Sequence, residues 1–335
     1  MMQAMVLEQQ GPIEQSPLRL TELPLPEPGA GEVLVRVSVC AVCRTDLHIV
    51  EGDLPPHRLP IVPGHQVVGR VERLGSGCTQ LKVGQRVGIA WLRHTDGTCI
   101  YCRRGRENLC PGSRYTGYDA DGGYAEHVLA PEAFACLLPE SFDDEHAAPL
   151  LCAGLIGYRA LQRAAVPEDG RLVLAGFGSS AHLVLQLAVH RGHRCFVLSR
   201  SDEHRQQARA LGAVWAGDDA AALPEPMDSA ILFAPAGQLV PPLLASLAPG
   251  GTLAIAGIHL SDVPPLNYQR HLFHEKQVRS VTANTRADAR ALLREAVEAD
   301  VRPQVTRYAL DQANQALQDM KHSRGSGTAV LLIGD

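Results

Sequence analysis

Between His94 and Cys110 the chain reads HTDGTCIYCRRGRENLC, which puts Cys99, Cys102 and Cys110 at zinc-ligand spacing. A tetrahedral structural site takes four ligands, so three thiols raise the question of a fourth. Cys40 and Cys43 form a second pair, a CxxC within VCAVCRTDLH. Such a pair suits thiol redox chemistry in a βαβ setting, which the surrounding residues do not supply. His65 in VPGHQVVGR and Cys152 in PLLCAGLIGYRAL are further ligand types. Taken singly, a His or Cys is more often packed or solvated than bound to metal.

A different chemistry is written at AGFGSSAH, where Gly176, Gly178 and Ala181 make a GxGxxA arrangement with Ser179 and Ser180 between Gly178 and Ala181. Small residues there permit a tight turn and let backbone approach a pyrophosphate at a helix N-terminus. The motif follows a strand-like run and opens a helix-like one, the context in which it reads as nucleotide binding. An NAD site wants a carboxylate about 20 residues on, for the adenosine ribose. The next strand end instead carries Ser199, Arg200 and Ser201, with no acid until Asp202. Hydroxyls and a guanidinium suit a 2′-phosphate, so NADP(H) is expected over NAD(H).

The elements that must hold these residues change character along the chain. Up to residue 152, short strand-like runs recur between Gly and Pro: VLVRVSVC, QVVGRVERLG, RVGIA, GYAEHVLA and ACLLP. That pattern predicts a compact β-rich domain. From 153 to 285 the apolar strands RLVLAG, CFVLSR, MDSAILFAP, GTLAIAG and VRSVTAN follow, the first ones separated by the helical SAHLVLQLAVHRG and SDEHRQQARALGA. Strands alternating with helices predict an α/β, doubly wound parallel sheet. RADARALLREAVEAD then reads as an amphipathic helix and TAVLLIGD as a closing strand.

Composition narrows the function classes. The 335 residues carry 45% hydrophobic and 20% charged side chains with net charge −5. No polybasic footprint exists, and aromatics are only 4%, so nucleic acid is not an expected partner. Apolar runs are too short to span a bilayer, and MMQAMVLEQQ lacks the pattern of a signal peptide. Nine cysteines, three in one loop, favour metal or thiol chemistry in the reducing cytoplasm over disulfides.

Taken together, CRTDLH, PGHQVVG, VGIAWL, the cysteine loop, LCAGLIGYRAL, GFGSSA and TANTRAD resemble the zinc-dependent medium-chain alcohol dehydrogenases over essentially the full length. The resemblance implies a GroES-like β-rich catalytic domain (1–152, completed by 286–335) and a Rossmann cofactor domain (153–285). It makes Cys43, His65 and Cys152 ligands of a catalytic zinc with one position left open, and Asp46 the group that orients His65. Thr45 and His48 match a proton relay, and Arg44 and Arg286 match contacts to cofactor phosphates. Trp91 stands where it would either line the substrate pocket or serve as core. The family's Gly-His-Glu is here Gly64-His65-Gln66. Two thiolates already balance Zn²⁺, so zinc binding is expected to survive, while any ligand-exchange role at that position is put in question.

In the same family the loop reads Cys-x2-Cys-x2-Cys-x7-Cys, and here its first position is Asp96. A carboxylate oxygen is a competent zinc donor of the same charge, so Asp96, Cys99, Cys102 and Cys110 are expected to form a structural site, weaker for the harder oxygen. The implied activity is hydride transfer between NADP(H) and a small primary alcohol or aldehyde, by a homodimer or homotetramer. Two competing readings are a zinc-independent quinone or enoyl reductase and a non-catalytic zinc- and nucleotide-binding protein. The ligand set argues against the first, and the relay residues against the second.

Overall fold

The computed structural model describes residues 1–324 and 327–334. The chain divides into two compact units. One comprises Met1–Cys152, Ala283–Val297 and Arg302–Asp335; the other comprises Ala153–Thr282 and Glu298–Val301.

The first unit is β-rich. Its central strand, Glu32–Ala41, is buried along most of its length because Val33, Leu34, Val35, Val37, Val39 and Cys40 give it apolar groups on both faces. One edge pairs antiparallel with Val67–Leu74. The other edge is shared: Glu32–Arg36 pair with His127–Pro131, and Val39–Ala41 with the segment Val330–Leu332. The strands Arg86–Ile89 and Ala135–Leu137 extend the sheet on one side, and Val305–Ala309 on the other. A separate antiparallel pair, Met2–Leu7 with Leu18–Leu23, adds Leu7 and Leu18 to the same core.

Among the described residues the second unit builds a six-stranded parallel sheet. Its spatial order is Trp215–Gly217, Arg194–Leu198, Arg171–Ala175, Met227–Leu232, Leu247–Ile255 and Gln277–Ser280. In chain order this is third, second, first, fourth, fifth, sixth, the doubly wound arrangement. The core strands read as unbroken apolar runs (Leu172–Ala175 and Cys195–Leu198) because helices cover both faces. The outer strand Gln277–Ser280 differs, with three of its four residues exposed. The fold is thus the α/β combination of a GroES-like domain and a Rossmann-like sheet. Of VRSVTAN only its first three residues lie in a strand, Gln277–Ser280, since the chain leaves the sheet after Val281. No helix among the described residues is long and apolar enough to cross a membrane.

Candidate metal centres and dinucleotide loop

Strand Glu32–Ala41 delivers the chain to Cys43, which caps the helix Arg44–Glu51. Asp46 closes the cap: its Oδ2 accepts from the Cys43 backbone N–H at 2.9 Å. Gly52, at φ 92°, ends the helix and donates its N–H to the His48 carbonyl at 3.1 Å. His65 comes from the turn before strand Val67–Leu74. Gly64 at φ 97° lets the chain lie against Tyr124, where a Cβ would stand 2.4 Å from the ring. Cys152 follows the 3-10 turn Ala148–Leu151.

These three segments bring their donors together. Cys43 Sγ lies 3.3 Å from His65 Nε2 and 4.0 Å from Cys152 Sγ. A tetrahedral zinc with bonds of about 2.3 Å to sulfur and about 2.0–2.1 Å to nitrogen separates two sulfurs by about 3.8 Å and sulfur from nitrogen by about 3.5 Å. The observed spacings match that geometry, and a Cys43–Cys152 disulfide would need sulfurs about 2.05 Å apart. His65 Nδ1 faces Asp46 Oδ1 at 3.0 Å, both residues fully buried. Burial opposes charge on His65, but the Asp46 carboxylate and Cys43 sulfur outweigh it and raise its pKa well above the usual value. Contact with Cys152 and burial likewise push the Cys43 thiol upward. A cation among the donors reverses that balance, because it competes with protons for sulfur and nitrogen.

Thr45 is buried on the same helix, and His48 Nδ1 meets Asp53 Oδ2 at 2.7 Å. Trp91 stands edge-on to the His65 ring, centroids 4.9 Å apart, and stacks on Tyr115 at 4.8 Å and Tyr118 at 5.8 Å. Gln66 is fully buried, and neither amide atom has a hydrogen-bond partner among the described residues.

The second cluster is Asp96, Cys99, Cys102 and Cys110, whose ligand atoms all lie within 4.8 Å of one another. The backbone prepares it. Asp96 Oδ1 accepts from the N–H groups of Thr98 and Cys99, each at 2.8 Å, which hold the carboxyl far below its usual range. Backbone N–H groups also donate to sulfur, from Asp96 to Cys110 at 3.4 Å and from Cys102 to Cys99 at 3.5 Å. Burial and the Cys99 contact push the Cys102 thiol up to about 11.

In the second unit, Gly176 at φ 90° passes so close to Ala234 that a Cβ would stand 2.7 Å from its backbone nitrogen. Gly178 precedes the helix Ser179–His190, and Ala181 is fully buried. At the next strand end, Ser201 caps the helix Asp202–Ala210 and Ser199 Oγ lies 3.4 Å from His204 Nδ1. Asp202 is ion-paired with Arg205, and Arg200 is exposed.

The family models for the alcohol dehydrogenase GroES-like domain and for zinc-binding dehydrogenases match residues 29–140 and 181–298. A Mycobacterium tuberculosis protein named probable alcohol dehydrogenase AdhA is 53% identical, covering 99% of this chain and 97% of that one. The chain belongs to the zinc-type medium-chain dehydrogenase/reductase family. An alcohol dehydrogenase of Geobacillus stearothermophilus is 34% identical over 94% of this chain and 96% of its own. A cinnamyl alcohol dehydrogenase of Sorghum bicolor superimposes with a TM-score of 0.89 at 28% identity, covering 99% of this chain and 97% of that one. The activity is therefore that of an alcohol dehydrogenase of this family, with zinc and a nicotinamide cofactor as its chemical partners and a small molecule as substrate.

Within this dehydrogenase, Cys43, His65 and Cys152 converge on one point, with Asp46 against His65. Arg44 is exposed at the start of the Cys43 helix. Arg286 is bound to Glu107 through its backbone N–H at 2.7 Å and its guanidinium at 2.6 Å, and lies 4.5 Å from the Phe134 ring centroid. Sequence reasoning missed Glu107, Asp53, Tyr115, Tyr118 and Tyr124. A charge run such as RRGRE carries no sign of which carboxylate turns inward, and the aromatic partners of Trp91 are apart from it in sequence.

Proposed function

We propose that this alcohol dehydrogenase is zinc-dependent, prefers NADP(H), and interconverts small primary alcohols and aldehydes. The observation carrying the reading is the approach of Cys43 Sγ, His65 Nε2 and Cys152 Sγ at tetrahedral spacing. These three residues would hold the catalytic metal. Bound there, zinc would supply Lewis acidity toward the substrate, and the nicotinamide would supply the hydride donor or acceptor.

The chain's own groups do the rest. Asp46 keeps the His65 proton on Nδ1, so Nε2 presents its lone pair. Thr45 takes the substrate proton and His48, oriented by Asp53, passes it to solvent. Trp91, with Tyr115 and Tyr118 stacked behind it, offers an apolar wall to the hydrocarbon part of the substrate. Arg44 and Arg286 contact cofactor phosphates. Gly176, Gly178 and Ser179 receive the pyrophosphate, while Ser199, Arg200 and Ser201 receive the 2′-phosphate. Pairing of Asp202 with Arg205 supports the NADP(H) reading by neutralising the nearest following carboxylate.

Asp96, Cys99, Cys102 and Cys110 would hold a second, structural zinc. The exposed outer strand Gln277–Ser280, with Val278 exposed on it and Tyr268 and Phe273 exposed shortly before it in the chain, supports a homo-oligomer joined there. A cysteine set committed to metal favours a cytoplasmic setting. The test is a panel of alcohols and aldehydes with both cofactors, alongside Cys43→Ala. Turnover by the wild type and none by a folded Cys43→Ala protein supports the mechanism; equal turnover by both overturns it.

A further inference from the structure

Trp91 is one member of a row of rings. It stands edge-on to His65 and stacks on Tyr118 at 5.8 Å with 29° between the planes. The His57 ring lies on Tyr118 in turn, with centroids 4.2 Å apart at 41°. Exposure rises along the row: His65 is 0% exposed, Tyr118 8%, and the His57 side chain 53%. The row starts in the core and ends at the surface.

Polar contacts hold its outer end. His57 Nδ1 meets Asp119 Oδ1 at 2.7 Å, and Asp119 Oδ2 accepts from the Tyr115 backbone N–H at 2.7 Å. The Tyr118 hydroxyl donates to the Pro55 carbonyl, two residues from His57. Asp121 Oδ1 accepts from the Val62 N–H at 3.0 Å, and Gly122 N–H donates to the Val62 carbonyl at 2.7 Å. Ordering a half-exposed side chain costs rotamer entropy, and an exposed ion pair returns little stability for it. A fixed ring at that place makes better sense as a binding surface.

We propose that His57 is a specificity-determining residue, and that Trp91, Tyr118 and His57 select alcohols and aldehydes carrying an aromatic ring. Two rings intervene between His65 and His57, so the aryl group is set a few carbons back from the reacting carbon. The inference rests on reaction at Cys43, His65 and Cys152. An aryl group on such a wall gains stacked or edge-on contacts beyond the area it buries. A saturated ring of the same size buries at least as much apolar surface and has no π-face. Burial alone would therefore favour the saturated ring or neither.

The test compares 3-phenylpropan-1-ol with 3-cyclohexylpropan-1-ol, whose reacting carbons are alike. Both kcat/KM values are measured, and their ratio within one protein cancels effects common to the two substrates. The wild type should favour the phenyl alcohol about three- to tenfold. His57→Leu should cut that ratio at least about twofold, whereas His57→Phe, which restores a ring, should keep it. A wild-type ratio at or below one overturns the proposal without needing any variant to fold. A preference that His57→Leu leaves intact, or that both variants lose alike, overturns the role of His57. Wild-type turnover of propan-1-ol but of neither ring-bearing alcohol also overturns the proposal alone. Turnover of none of the three sinks the reading of the metal site as well.

Discussion

Glu107 and Arg286, 179 positions apart, meet in a forked ion pair, with Arg286 Nη2 2.6 Å and Nε 3.1 Å from Glu107 Oε2. The pair ties the cysteine loop to the start of the helix Arg286–Glu298. Arg286 holds the Glu107 carboxyl below its ordinary value of 4.5 against the opposing effect of burial. Glu107→Gln should therefore cost stability. Because the Arg286 side chain is 38% exposed, water screens the pair and the loss should be about 1 kcal/mol. A group whose folded pKa is lowered stabilises above its unfolded value. The wild-type advantage should thus be complete above pH 4.5 and vanish as pH falls through the lowered folded pKa. Urea melts of both proteins across that window provide the check.

Asp96 gives the cysteine loop an oxygen donor where three sulfurs wait. A harder, less covalent ligand should release zinc more readily. Asp96→Cys should slow release of one of two zinc equivalents to a chelator and leave the other unchanged. Timed release with a zinc-responsive dye, calibrated by elemental analysis, reads both. One zinc per wild-type chain with full activity would remove this site from the account.

Arg200 is exposed beside Ser199 and Ser201 at the end of strand Arg194–Leu198. If it grips a 2′-phosphate, Arg200→Asp replaces attraction with repulsion. A charged hydrogen bond is worth about 1.5–3 kcal/mol, so kcat/KM with NADPH should fall at least about tenfold while that with NADH does not. A wild type that already prefers NADH contradicts the premise.

Val278 lies on the outer strand of the parallel sheet, 43% exposed. Val278→Lys places a charge on that edge, a device proteins use to block strand pairing. The expected outcome is a smaller species by light scattering after size exclusion, with the far-UV spectrum retained.

How much of this was legible beforehand depended on whether the signal was local. Unbroken apolar runs announced Leu172–Ala175 and Cys195–Leu198, since burial on both faces writes itself into consecutive residues. Three thiols were legible by spacing, Asp96 only through the loop pattern of the family that the chain resembles, whose first position it takes; its donors from Thr98 and Cys99 come from a local turn. The pair Met2–Leu7 and Leu18–Leu23 was not, because its length and alternation are weak until the core supplies a partner. Neither was the Glu107–Arg286 fork, for charge gives no hint of a partner so distant in the chain. Tyr124 was hidden for the same reason: only the turn at Gly64 brings its ring to the sequence neighbour of His65.

Asp46 carries two duties on one carboxylate, closing the first turn at Cys43 with Oδ2 and facing His65 with Oδ1. With a cation at Cys43 and His65, as proposed, local folding and cation affinity would share a free-energy term. Its binding should also tighten the opening turn of the helix Arg44–Glu51. Amide protons of Asp46 and Leu47 should exchange more slowly in the loaded protein, reporting occupancy without any substrate present. Metal starvation would then register first as fraying of that turn, before any change in the sheets.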